Sequence, residues 1–112
     1  MITILNTSIL TEYGDYRYTR LTLSEARAKI QEEHQGNYMS AVGHQATADI
    51  LTELLGVPVQ CNRIEYRQGP GEEAIIFKLR ARTPEGTILN REEVEKIGYE
   101  FGLLLHIGQK SR

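Results

Sequence analysis

One histidine sits at the start of a helix, where a phosphate can be held. Of the three histidines in the chain, His44 follows Ser40-Ala41-Val42-Gly43 and opens a run of helical periodicity. That setting combines a cap-type serine, a glycine that lets backbone approach a ligand, and the leading N–H groups of a helix, which have no partners inside it. Helix ends of this kind hold phosphates. His44 also stands three residues before Thr47 and seven before Leu51, at the edge of the apolar stripe, so a packing histidine that binds nothing is the blander reading of the same spacing. Arg63, Arg67, Arg80 and Arg82 likewise read in two ways, as a phosphate-binding patch or as cross-strand ion pairs with Glu65, Glu72 or Glu73.

Other chemistries find less to work with. A zinc site built on His44 lacks a second histidine or carboxylate at i+3 or i+4, and Asp49 at i+5 falls off that face. The serines Ser8, Ser24, Ser40 and Ser111 lack the G-x-S-x-G context of a nucleophile elbow. Cys61 is the one cysteine, which excludes an internal disulfide and a cysteine-based zinc centre, and a buried structural thiol is expected there. No metal and no cofactor are therefore expected.

The elements that must position these residues follow from periodicity. The 112 residues, 40% hydrophobic and 25% charged, suit one domain over 1–112. Thirteen basic against fifteen acidic residues give a net charge of −2, which disfavours a protein that coats long nucleic acid. No stretch has the apolar length of a membrane span, and a reducing, cytoplasmic setting is expected. Residues 2–5 read as a strand that ends in the polar loop Asn6-Thr7-Ser8. Thr22-Leu23-Ser24-Glu25 forms a capping box, opening a helix to about residue 34. Residues 36–39 read as a turn.

The strongest helix spans residues 43–55, with Thr47, Ile50, Leu51, Leu54 and Leu55 on one stripe, and stops at Gly56 and Pro58. Residues 62–67 and 74–82 alternate and read as two strands, each with a wet face, joined as an antiparallel hairpin through the turn at 68–72. Asn90 and Glu93 cap a short helix, and Tyr99, Phe101, Leu103, Leu105 and Ile107 alternate along a final strand. The expected fold is α/β, a small mixed sheet with helices packed on it.

Taken together, Ser40-Ala41-Val42-Gly43-His44-Gln45-Ala46-Thr47-Ala48 with Ile50-Leu51-Thr52-Glu53-Leu54-Leu55-Gly56, the N-terminal Leu5-Asn6-Thr7-Ser8, Asn62-Arg63, and Arg82-Thr83-Pro84-Glu85-Gly86 resemble one family over nearly the whole chain. That family is the viral type III anti-CRISPR ring nucleases and their cellular homologues. The resemblance implies a homodimer that binds cyclic tetra-adenylate, the second messenger of type III CRISPR defence, across its two-fold axis and opens the ring without metal. It puts the family's histidine on His44, its two important arginines on Arg63 and Arg82, and its catalytic-site glutamate on Glu85. It also implies ligand contacts at Asn6, Ser8, Gly43, Gln45 and Thr47. Thr83 departs from the aliphatic residue common in relatives. A reading from another class remains beside it, a non-catalytic module that captures a cyclic nucleotide or short nucleic acid and acts by sequestration or regulation.

Overall fold

A strand without a wet face belongs inside a sheet, and β1 (Ile2–Leu5) is buried at every position. In the computed structural model, which describes residues 2–33, 35, 37–81 and 90–108, β1 lies between two parallel neighbours. These are β3 (Tyr38–Ser40) and β4 (Glu73–Leu79), with Ile4 in register with Ser40 on one side and Ile75 on the other. Beyond β4 come β5 (Tyr99–Gly108) and β2 (Asp15–Leu21), both paired antiparallel, so that one five-stranded mixed sheet has the order β2-β5-β4-β1-β3. The α/β class expected from the sequence is the one observed.

Three helices cover one face. Helix α1 (Leu23–Ala28) starts with the capping box: the Thr22 N–H donates to Glu25 Oε1 at 2.8 Å and the Glu25 N–H to Thr22 Oγ1 at 3.1 Å. It runs on into a π-helical turn at Lys29–Glu33. Helix α2 (Gln45–Leu55) buries Thr47, Ala48, Ile50, Leu51, Leu54 and Leu55, the stripe its period requires, and Gly56 closes it at a left-handed φ of 72°. Its last carbonyls are also claimed from this segment: Arg27 Nε of α1 donates to Leu54 O at 2.6 Å, and Gln31 Nε2 of the π-helical turn donates to Leu55 O at 2.7 Å. Helix α3 (Arg91–Ile97) is capped by Asn90, whose Oδ1 accepts the Glu93 N–H at 2.8 Å. The main core lies between these helices and Ile2, Ile4, Ile75, Phe77 and Phe101 of the sheet.

Several sequence expectations are corrected. Residues 62–67 form no strand, and the expected hairpin is absent, because both edges of β4 are already taken by β1 and β5. The pair of neighbouring strands that would carry Arg63, Arg67, Arg80 and Arg82 is therefore not formed. Arg67 takes the ion-pair reading, with Glu65 and also Glu12, each at 3.3 Å, and Arg82 lies outside the described residues. β4 has no fully wet face either, since Ala74, Ile75, Ile76 and Phe77 are all buried and Lys78 alone is exposed. Of the turn expected at 36–39, residues 38 and 39 belong to β3, and Gly36 lies outside the described residues. β2 carries no signal in the sequence; of its seven residues only Leu21 is buried, so it lacks the apolar period that marks a strand. Cys61 is exposed rather than buried.

The second face of the sheet is covered by loops instead of helices. Leu5, Ala74, Ile76 and Leu104 form a smaller cluster there, overlaid by Tyr16, Ala41 and Tyr66. Beside it the fully buried His106 stacks on Tyr16, ring centroids 4.4 Å apart, and its Nδ1 donates to Gln68 O at 2.7 Å. Gln68 is equally buried, and its Nε2 donates to the carbonyls of Glu72 and Leu104, both at 2.8 Å. Hydrogen bonds of this kind, each satisfying a buried carbonyl, fasten the loop to β5.

The packing on this face can be probed at two positions. Gly14 has φ +140°, and a Cβ on it would lie 2.5 Å from Gly108 O and 2.6 Å from His106 Nε2. Gly14→Ala is therefore expected to cost about 2–4 kcal/mol in urea denaturation, because strain and overpacking add. Burial foremost, with the charge of Glu72 adding to it and Thr3 opposing, raises the pKa of Tyr66 above its ordinary value of 10.0. A folded-state pKa above the unfolded one means that this contribution is intact below about pH 10 and is lost as pH rises further. The urea midpoint should fall above about pH 10, and Tyr66→Phe should shrink that fall.

Candidate functional site

The site is built where the parallel strands end, the edge at which open α/β sheets bind ligands. β3 leads through residues 41–44 into α2, and the neighbouring segment 60–63 holds that connection by its backbone. Ser40 Oγ donates to Gln60 O at 2.6 Å, so the serine is a brace and not the helix cap. The Asn62 N–H donates to Val42 O at 2.7 Å, Asn62 Nδ2 to Ser40 O at 2.8 Å, and Arg63 Nε to Gly43 O at 2.7 Å. With the carbonyls of 40, 42 and 43 all bound, the chain enters α2 in a fixed direction.

His44 is the cap residue of α2, extended at φ −128° and ψ 128°, and no side chain caps the helix. The first bond within the helix runs from the Ala48 N–H to His44 O at 3.0 Å. The N–H groups of Gln45, Ala46 and Thr47 thus have no helical partner. The His44 ring is exposed and makes no hydrogen bond among the described residues. The packing reading of this histidine is set aside by that exposure. Gly43 has an ordinary φ, and a Cβ there would touch only Arg63 Cγ, at 3.4 Å. The rest of the space above its backbone is open, as an approaching ligand requires.

One helical turn further on, Thr47 borders a crevice of about 270 Å³ together with Asn6, Thr7, Ser8, Phe77, Lys78 and Leu79. Thr47 is 7% exposed, and its hydroxyl has no hydrogen-bond partner among the described residues. Three of the residues singled out in the sequence, Asn6, Ser8 and Thr47, therefore meet in one crevice. Gly43, His44 and Arg63 meet at the head of the same helix. Gln45 does not join them by its side chain, which donates to Asp49 Oδ1 at 2.8 Å; only its N–H faces the helix start. Arg82 and Glu85 lie outside the described residues.

Two contributors have roles that the sequence does not assign. Asn62, quoted only within the Asn62-Arg63 pair, is the clamp on the β3–α2 connection, a role that depends on a partner more than twenty residues earlier in the chain. Lys78 reads only as a position on a wet strand face. N–H groups without helical partners, hydroxyls, an amide, an arginine and an imidazole around one helix start are groups whose chemistry suits a phosphate ester. Among the described residues no three His, Cys, Asp or Glu side chains are grouped to hold a metal ion, and no helix is long and apolar enough to cross a membrane. Asn62→Ala should lose about 1–2 kcal/mol of stability and speed amide hydrogen exchange at residues 41–47 more than elsewhere.

Comparison with known proteins adds kinship to this geometry. Residues 2–101 match the family described as STIV B116-like. The uncharacterized protein YddF of Bacillus subtilis (strain 168) is 35% identical over 106 residues, covering 95% of this chain and 97% of its own length. Uncharacterized protein ORF117 of Acidianus two-tailed virus is 37% identical over 102 residues, 88% of this chain and 86% of its own. Among solved structures, B116 of Sulfolobus turreted icosahedral virus superposes with a TM-score of 0.75 at 23% identity, covering 94% of this chain and 98% of that one. At that identity the likeness is one of fold.

Proposed function

This chain belongs to the STIV B116-like family, and from its site we propose that it is a metal-independent ring nuclease, a phosphodiesterase that binds cyclic tetra-adenylate across a homodimer and opens it to linear adenylates. Acting in the cytoplasm, such a protein shuts down type III CRISPR signalling. The observation that supports this reading best is the exposed His44 at an uncapped helix start, with Arg63 bound to the preceding carbonyl and the Asn6, Ser8 and Thr47 crevice one turn away.

In this scheme the ribose 2′-hydroxyl attacks the adjacent phosphorus, a P–O2′ bond forms, and the bond to the 5′-oxygen breaks. The attacking hydroxyl passes its proton to solvent, His44 as general acid donates one to the departing 5′-oxygen, and the opened product ends in a 2′,3′-cyclic phosphate. The free amides of α2 and the Arg63 guanidinium lie where they can stabilise charge on phosphorus. Arg82 and Glu85 enter as the remaining arginine and carboxylate implied by the family resemblance. A two-fold dimer suits a ring of four equal units, because each protomer then handles one half.

The test is direct. Purified protein incubated with cyclic tetra-adenylate in EDTA should yield linear adenylates, resolved by chromatography; an intact ring that nonetheless binds would make the protein a sequestering module. His44→Ala is expected to slow single-turnover cleavage roughly 10²- to 10⁴-fold while largely preserving affinity. Cleavage at the wild-type rate in that variant would remove His44 from the mechanism.

A further inference from the structure

His44 is exposed and unbonded among the described residues, so the direction of its imidazole is set by its own backbone. That backbone is the first arm of a small β-α-β crossover. Residues 41–43 lead on from β3, α2 crosses over, and the returning segment 59–63 runs beside them, with a parallel bridge between Val42 and Cys61. The return is tied to the helix, because the Val59 N–H donates to Thr52 Oγ1 at 2.9 Å. It is tied to the strand by Ser40, whose Oγ holds Gln60 O, and by Asn62, which bonds the carbonyls of both Ser40 and Val42.

Asn62 uses its side chain and its N–H together, and the second of its two carbonyls lies two residues before His44. The residue is half-buried and uncharged, and its Nδ2 is committed to a carbonyl inside the protein. It therefore acts through the backbone and not on a ligand. Displacing a reacting group by about 1 Å can cost on the order of 10²-fold in rate. We infer that Asn62 is a positioning residue for His44, holding the β3–α2 connection so that the imidazole faces the departing 5′-oxygen. The inference rests on the ring-nuclease reading of the site, and it adds that the aim of the acid comes from the return segment and from no contact of the ring itself.

Single-turnover cleavage of cyclic tetra-adenylate in EDTA tests it with the wild type, Asn62→Asp, His44→Ala and the double variant. Asn62→Asp keeps the shape and the N–H bond to Val42 O but cannot donate to Ser40 O. It should slow cleavage roughly 10- to 100-fold while ring affinity stays within about threefold. In the His44→Ala background it should slow cleavage by less than about threefold, because a residue that acts through His44 then has nothing to position. Asn62→Ala carries the same expectations should the carboxylate impair folding. A loss that multiplies with that of His44→Ala, a matching loss of affinity, or cleavage at the wild-type rate overturns the inference. If the wild type leaves the ring intact, the proposed function fails and the inference is read from the free protein. Amide order parameters at residues 43–45 should then fall in Asn62→Asp while those at 102–105 in β5 hold. Values that stay level at 43–45, or that fall equally in β5, overturn it.

Discussion

The parallel pairing of β1 with β3 and β4 is the constraint on which the site depends. β1 stops at Leu5, opposite Ile76, whereas β4 continues to Leu79. Phe77, Lys78 and Leu79 are left without a strand on that side, and residues 6–8 turn away to leave the crevice between them. On the other side β3 is carried past the end of β1 by the Ala41 N–H, which donates to Ile4 O at 2.9 Å. The same short strand therefore creates the gap and aims the chain that leads into α2.

Features that depend on near neighbours along the chain are legible in the amino-acid sequence. The capping residues Thr22 and Asn90, the stripe of α2, its stop at Gly56 and the final strand all lie where the spacing puts them. Features decided by distant partners are not. Residues 62–67 alternate like a strand, yet β1 and β5 already flank β4 on its two sides, so the segment crosses the second face and uses Tyr66 to cover it. β2 and β3 are the two edges of the sheet, where pairing rather than apolar period decides. At the site, the placement of His44 follows from a glycine and a helical period, and the meeting of Asn6 and Ser8 with Thr47 is expected only by family resemblance. The turn of Gln45 toward Asp49 and the place of Lys78 depend on the tertiary arrangement, which local spacing does not encode.

The two ends of α2 show how unevenly the protein treats its polar backbone. At the C-terminal end, Arg27, Gln31 and the Gly56 turn satisfy the last carbonyls. At the N-terminal end neither serine nor histidine caps, although cap side chains are common and stabilise by about 1 kcal/mol. The histidines divide in the same manner. His106 is buried and bonded through Nδ1 to a residue of the loop that crosses the sheet, while His44 is exposed and unbonded among the described residues. The first is committed to holding the fold, and the second is available.

The order in which the sheet is strung has a kinetic side. Ile2 is paired with Glu73 and Leu5 with Ile76, so β1 receives its central partner only after β2, α1, β3 and α2 have been made. Until then its apolar residues have at best the three-residue β3 to lean on. Such non-local closure slows folding, and the crevice, bounded by the end of that strand, must be among the last parts of the molecule to take shape.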